Sequence, residues 1–316
     1  MSLPLSVHAT LGSVSKELKE QPSLLRSFRR STRWSELGEL DDPILVGAGD
    51  SYAASLCASF LAGPRVAALD PYSLAESIAW AKARHVCIIS VSGETASNVE
   101  LARLLKGVAT DTVAITCNPK SRLAAAADDV VELPFKPHGK SPGIASFTLS
   151  LAAALKVCGI DSDGDFEAIL SRAALESARI LVSSGGGVTH FTGNNEAFGA
   201  SVYGVAKIYE FLGGRAQASL LEEFSHMPLF SLSASDTVNV IESPDGDKGE
   251  RLRARLMAGG FSSSLIHPGG GRVERLYLLI FAMQLAAVKA AKGEGLKAPY
   301  FLGARKKLKI SDEMIY

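Results

Sequence analysis

The sequence predicts an α/β protein built from two tandem, doubly wound, flavodoxin-like parallel-sheet domains covered by helices. Three observations carry this. Short, continuously apolar runs alternate with helical stretches, as in parallel sheets buried on both faces. The alternation occurs twice, at an offset of about 150 residues. The first run of each set ends in a glycine. A length of 316 residues suits about two such domains.

Leu11 to Arg30 has helical character, and Pro22 is expected to split it into two short helices. Pro43-Ile44-Leu45-Val46-Gly47 reads as a buried strand and Ser51 to Leu61 as the helix that follows. Val86 to Val91 is a second strand and Ala96 to Leu105 a second helix. Thr112 to Thr116 and Val130 to Leu133 supply a third and a short fourth strand. The second set is Val188 to Gly193, Thr237 to Ile241 and Ser263 to Ile266. The domains expected are an N-terminal helical segment (1–35), a first, phosphate-binding domain (36–175), a second domain (176–298) and a C-terminal tail (299–316). The seam is expected near residues 170–185, beside the run Gly185-Gly186-Gly187.

Lys plus Arg and Asp plus Glu balance at 33 each. That argues against nucleic acid or an anionic membrane as partner, since such binders draw affinity from a basic surplus. Cys57, Cys87, Cys117 and Cys158 form no CxxC pair and read as buried core thiols of a reducing compartment. The six histidines show no HxH or HxxxH spacing, so no metal site is expected. The N-terminus lacks the basic and apolar regions of a signal peptide. Leu276 to Val288 is too short for a membrane span and suits a buried helix. The expected location is the cytoplasm.

In open parallel sheets ligands bind beyond the carboxyl ends of the strands. There stand Gly47-Ala48-Gly49-Asp50-Ser51 and Ser90-Val91-Ser92-Gly93-Glu94-Thr95, each leading into a helix. Backbone N–H groups at a helix start, small hydroxyl donors and permissive glycines make a phosphate cradle without lysine. Against this stands the plainer reading that Ser92 or Thr95 caps a helix. The matching loop of the second set, Glu242 to Asp247, carries three carboxylates that would repel a phosphate, so one phosphate site is expected. Lys207 and Glu210, three apart, share a helix face. His226 follows in Leu221-Glu222-Glu223-Phe224-Ser225-His226-Met227-Pro228. A carboxylate and an imidazole are what aldose–ketose chemistry needs, one to move a proton and one to open the ring. From spacing alone, a solvated ion pair and a loop histidine account for them better than catalysis does.

These residues resemble a known family. Lys16 to Pro22, Gly49-Asp50-Ser51-Tyr52, Ser90 to Thr95, Ile144-Ala145-Ser146, Gly204 to Glu210 and Glu223 to Pro228 are similar to segments of the sugar isomerase (SIS) domain proteins, above all the isomerase half of glucosamine-6-phosphate synthase. The resemblance runs nearly end to end. It implies that Gly49, Ser51, Ser90, Ser92, Gly93 and Thr95 bind a phosphate, that Ser146 and Lys207 lie at the sugar, and that Glu210 moves the proton between C1 and C2. It implies that His226 assists ring opening, reaching in from the partner of a homodimer. It also implies a lysine from the tail, Lys307 or its neighbour Lys306, and no cofactor or metal. Asp50 stands where the family has threonine; an acid there fits a sugar hydroxyl or amino group. Val91 replaces the family's glutamine, and Met227 its glycine.

The chain begins at what resembles the isomerase half, and no cysteine lies near Met1, so ammonia drawn from glutamine is not expected. The reaction expected is glucosamine 6-phosphate plus water to fructose 6-phosphate plus ammonia. A fructosyl-amine-phosphate deglycase, a plain phosphosugar isomerase and a non-catalytic sugar-phosphate sensor are the alternatives.

Overall fold

The computed structural model describes residues 9–136, 140–184, 186–242 and 246–316, the side chain of Glu36 excepted. Gly185 of the expected seam and residues 243–245 of the acidic loop lie outside the described residues.

The elements follow in chain order. First come α1 (Leu11–Arg29), α2 (Thr32–Glu36), β1 (Ile44–Val46), α3 (Asp50–Ala62), β2 (Ala67–Leu69), α4 (Pro71–Glu76) and β3 (His85–Ile89). Then come α5 (Ala96–Leu104), β4 (Asp111–Thr116), α6 (Arg122–Ala126), β5 (Asp129–Glu132) and α7 (Ala145–Val157). The second set is α8 (Phe166–Ser177), β6 (Val188–Thr192), α9 (Glu196–Leu212), β7 (Arg215–Ser219), α10 (Leu221–His226), β8 (Thr237–Ile241), α11 (Lys248–Ala258), β9 (Ser262–Ile266) and α12 (Arg272–Gly293). The chain closes with α13 (Tyr300–Gly303) and α14 (Arg305–Ile315).

Two compact units result. Among the described residues the first takes those from Lys19 to Lys136, Gly143–Ser162 and Arg305–Tyr316; the second takes those up to Leu18, Lys140–Pro142 and Asp163–Ala304.

In the first unit five parallel strands lie in the order β2-β1-β3-β4-β5, the flavodoxin-like order. Val46 is in register with Leu69, and Ile89 with Ile115. On one face Ile44, Val46, Val86, Ile88 and Ala114 meet Leu74 of α4, Val99 and Ala102 of α5 and Leu123 of α6. By strand alternation Leu45, Cys87 and Ile115 point the other way, towards α3 and α7, which pack on each other. The second unit repeats the order as β7-β6-β8-β9, all parallel, with no fifth strand among its described residues. Leu221, Phe224 and Leu256 pack on Val238 and Val240 on one face. On the other, α12 packs on α8 and α9, with Phe166 edge-on to Tyr277 at 5.0 Å. By length and composition α12 would suit a bilayer, but Leu276 to Met283 are buried in this unit's core.

The break expected at Pro22 does not occur: α1 runs unbroken through it. A proline inside a helix costs about 3 kcal/mol. Leu25 and Phe28 are fully buried on that helix, and each such side chain contributes about 1.5–3 kcal/mol. The hydroxyl of Thr148 on α7 also donates to Gln21 Oε1 at 3.1 Å. Packing therefore outweighs the lost backbone bond. Two strands were not anticipated, β2 and β7. Cys57 and Cys87 are buried as expected, whereas Cys117 and Cys158 are half-buried; desolvation still pushes both thiols up to about 12.

The two sheets differ beneath α4 and α10. Where the first has Ile44, Val46 and Leu69, the second has His190, Thr192 and Ser219. His190 packs edge-on against Phe224 at 5.8 Å. His190 Nδ1, Thr192 Oγ1 and Ser219 Oγ are buried without a hydrogen-bond partner.

Candidate functional site

In the first unit the sheet presents its carboxyl ends to two loops. After β1 the chain turns sharply at Gly49, whose φ of 57° and ψ of −126° suit glycine. Gly47 is required for a different reason: a Cβ there would lie 2.6 Å from the Ser51 backbone. The Ser51 N–H donates to the Ala48 carbonyl at 3.2 Å, and the Ser51 carbonyl accepts from Ser55 Oγ at 3.0 Å. This turn places Asp50 and Ser51 in the first turn of α3.

The loop after β3 is held at three points by the segment from Cys117 to Leu123. The Val91 carbonyl accepts from the Cys117 N–H at 3.1 Å. The Gly93 carbonyl accepts from the Leu123 N–H at 3.0 Å, and a Cβ on Gly93 would fall 2.0 Å from Ser121 Oγ. Glu94 is pinned by Arg122, Nε to Oε2 at 2.6 Å, and that side-chain bond holds its carboxyl below the usual Glu range. The acid in this loop is thereby neutralised by a fixed guanidinium.

The hydroxyls of this loop are ordered by its own N–H groups. The Gly93 N–H donates to Ser90 Oγ at 3.2 Å, and Ser90 Oγ in turn donates to Thr95 Oγ1 at 3.4 Å. The Glu94 N–H donates to Ser92 Oγ at 3.2 Å. Thr95 is the N-cap of α5 yet makes no capping bond with its side chain. A hydroxyl that already accepts a bond keeps one donor to give, and a chain of such bonds is mutually strengthening. Ser92 and Thr95 therefore each retain a hydroxyl proton for an acceptor beyond the loop. The cradle differs from the expected one in kind: the Ser51, Gly93 and Glu94 N–H groups are satisfied internally, and hydroxyls offer the donors. Ser146 is buried in the first turn of α7. Lys307, and Lys306 beside it, lie exposed on α14.

In the second unit Lys207 is fully buried on α9, ion-paired to Glu210. Its Nζ lies 4.7 Å from the centre of the Tyr203 ring. Gln284 Nε2 donates to the Tyr203 hydroxyl at 2.8 Å. The pair is thus no solvated surface bridge; a buried ammonium fixes the Glu210 carboxylate, which is itself partly exposed. His226 ends α10 with its side chain 67% exposed, and its Nε2 meets Glu222 Oε1 at 3.1 Å rather than Glu210. Glu222 is shared with Lys248. Met227 and Phe230 beside it are exposed. In the acidic loop, Glu242 is buried and accepts from the Gly249 N–H, and Asp247 pairs with Arg251 at 3.3 Å.

Arg122 and Ser121 shape the candidate loop and were not anticipated. Their signal was available, because Asn118 to Arg122 follows β4 at the same sheet edge as the other two loops.

Residues 43–157 match the family model for the SIS domain. No curated protein matches the chain. Among solved structures the chain is similar to tagatose-6-phosphate ketose/aldose isomerase from Escherichia coli, with a TM-score of 0.74, 19% identity and 92% of this chain and 97% of that chain covered. It is similar to glucosamine-6-phosphate deaminase from Thermotoga maritima, with a TM-score of 0.73, 20% identity and coverage of 90% and 95%. It is similar also to the C-terminal domain of glucosamine-fructose-6-phosphate aminotransferase from Francisella tularensis, with a TM-score of 0.70, 18% identity and coverage of 94% and 99%. At these identities the likeness is one of fold. The loops at Gly49–Ser51 and Ser90–Thr95 both fall inside residues 43–157, the segment that matches the SIS domain model.

Proposed function

We propose that the protein is a cytoplasmic phosphosugar enzyme that converts glucosamine 6-phosphate and water to fructose 6-phosphate and ammonia. The observation that carries the reading is the loop after β3, where Ser92 and Thr95 each hold a spare hydroxyl donor. The three terminal oxygens of a phosphate monoester are the acceptors such a loop suits. Ser51, Ser90, Ser92 and Thr95 bind the phosphate in this reading, with Gly49 and Gly93 shaping the loops. Ser146 and Lys207 serve the sugar end, and a tail lysine, Lys307 or Lys306, closes on it.

His226 carries a proton between the ring oxygen and the C1 hydroxyl as the ring opens to the aldehyde. Glu210 then removes the C2 proton, giving an enolamine, and returns it to C1. The product is the 2-imine, which water hydrolyses to the ketone with release of ammonia. Burial of Lys207 against Glu210 supports a carboxylate held in one place for this transfer. The likeness to the deaminase fold is consistent with it. The assembly proposed is a homodimer in which His226 serves the partner's Glu210. The high exposure of His226 fits a group that completes a site of a partner subunit.

Purified protein given glucosamine 6-phosphate is expected to release ammonia. Glu210→Gln is expected to lower kcat by about 10²-fold or more with KM little changed, because a proton-transfer group acts mainly in the transition state. Wild-type turnover by that variant would remove Glu210 from the chemistry. A panel including a fructosyl-amine phosphate and fructose 6-phosphate separates deaminase from deglycase and simple isomerase. The pairing of His226 with Glu222 rather than Glu210 also favours a second reading, a sugar-phosphate sensor; tight phosphosugar binding with no turnover of any panel member would establish it.

A further inference from the structure

The geometry points to Asp50 as a positioning residue, one that clamps the β1–α3 loop to the start of α7, and not as a ligand of the sugar's amino group. The inference rests on the phosphate reading of that loop and says how the loop is held.

The carboxylate of Asp50 lies against Gly143. A Cβ added to Gly143 would stand 2.2 Å from Asp50 Oδ2 and 3.2 Å from its Cγ. Gly143 immediately precedes Ile144, the N-cap of the 13-residue helix α7. A carboxylate there meets the positive end of the helix, and Gly143 is the residue whose missing side chain admits it. Ser146 follows within the same helical turn. The clamp therefore joins the first phosphate loop to the segment that carries Ser146.

The second unit contains the same device in stronger form. Asn195 precedes α9 with φ 51° and ψ −129°, against 57° and −126° at Gly49 before α3. The next residue is again an acid at the first position of the helix, Glu196. Its carboxylate is turned to the start of α12, where Arg272 Nη2 meets Oε2 at 2.9 Å and Arg275 Nη2 meets Oε1 at 3.3 Å. α12 stands in the second unit where α7 stands in the first, after the last strand of the sheet. Each unit thus uses an acid at the start of its first sheet helix to fix the start of its last. Both carboxylate oxygens of Glu196 are taken by arginines of α12, so the shared arrangement is explained by the fold.

The test compares Asp50→Asn, Gly143→Ala, the double variant and Glu196→Gln. Inorganic phosphate, fructose 6-phosphate and glucosamine 6-phosphate are titrated calorimetrically, and Tm is recorded. Asp50→Asn and Gly143→Ala are each expected to weaken all three ligands by the same factor, about threefold to tenfold, and the double variant to be no worse than the poorer single. Glu196→Gln is expected to lower Tm while leaving phosphate affinity unchanged. Loss confined to glucosamine 6-phosphate in Asp50→Asn, with Tm and inorganic phosphate unaffected, would overturn the inference. Should Gly143→Ala not fold, the ratio of the Asp50→Asn losses for phosphate and glucosamine 6-phosphate decides alone. If the wild type binds no phosphate at all, the loop's assigned role fails, and the clamp is judged by non-additivity of the two Tm losses.

Discussion

Thr95 shows how one hydroxyl can change meaning between sequence and structure. In the sequence it is as good a helix cap as a phosphate ligand. In the structure it occupies the N-cap and makes no capping bond, while its Oγ1 receives the Ser90 hydroxyl. Thr95→Val is therefore expected to leave α5 in place and to weaken phosphate binding by about tenfold or more, since a hydrogen bond to a charged group contributes about 1.5–3 kcal/mol. Calorimetric titration with inorganic phosphate measures this, and an unchanged Kd would remove Thr95 from the cradle. Arg122 works at one remove. Its bond to Glu94 sets the Glu94 carboxyl below the usual Glu value, so the pin is intact above that usual value, about 4.3, and is lost as pH falls through the lower folded value. Sulfate affinity, read through that acid window, should fall in the wild type and follow a flatter course in Glu94→Gln. The serines and threonine of this loop could be found from sequence because they sit together after a strand. The Glu94–Arg122 pin could not, because its partners are 28 residues apart and meet only once β3 and β4 pair.

The two strands missed, β2 and β7, each form one edge of their sheet, while the opposite edges, β5 and β9, were recovered. β2 is three residues long and half-buried throughout, and β7, Arg215-Ala216-Gln217-Ala218-Ser219, alternates exposed and covered positions with no large apolar residue. An edge strand buries less and is often short and polar, so the hydrophobic pattern that marks a central strand is missing. α1 fails differently: Pro22 is a sound local signal for a break, and distant partners on α7 overrule it. The second sheet carries a further cost that only burial reveals. Thr192 Oγ1 is fully buried and unpartnered beside Ser219 Oγ, where the first sheet has Val46 and Leu69. Thr192→Val removes the hydroxyl at almost constant shape, and is expected to stabilise the protein by about 1 kcal/mol. A thermal or urea unfolding curve checks this; a lower midpoint would show that the hydroxyl has a partner in solution.

At the scale of the molecule, repetition was readable and threading was not. The doubled strand pattern gave two sheets of one topology, confirmed as 2-1-3-4-5 and 2-1-3-4 in strand order. The exchange of termini between units, Leu18 and before to one and Arg305 and beyond to the other, depends on contacts that no local pattern encodes. The proposed homodimer belongs to this scale and has a direct test. Mixing the Glu210→Gln and His226→Ala variants should restore about a quarter of wild-type activity if each site borrows its histidine across a two-fold interface. No recovery would place both residues in one chain's site. The threading has a consequence for biosynthesis. The Leu11 N–H is bonded to the Lys297 carbonyl at 2.9 Å, and Ser15 Oγ to Lys292 Nζ at 2.9 Å. The leading turns of α1 therefore wait for partners that are made long after them. At about 5–20 residues per second that interval is roughly 15–60 s, during which the leading turns of α1 are open to proteases and chaperones while the unit of Lys19 onward already has its sheet.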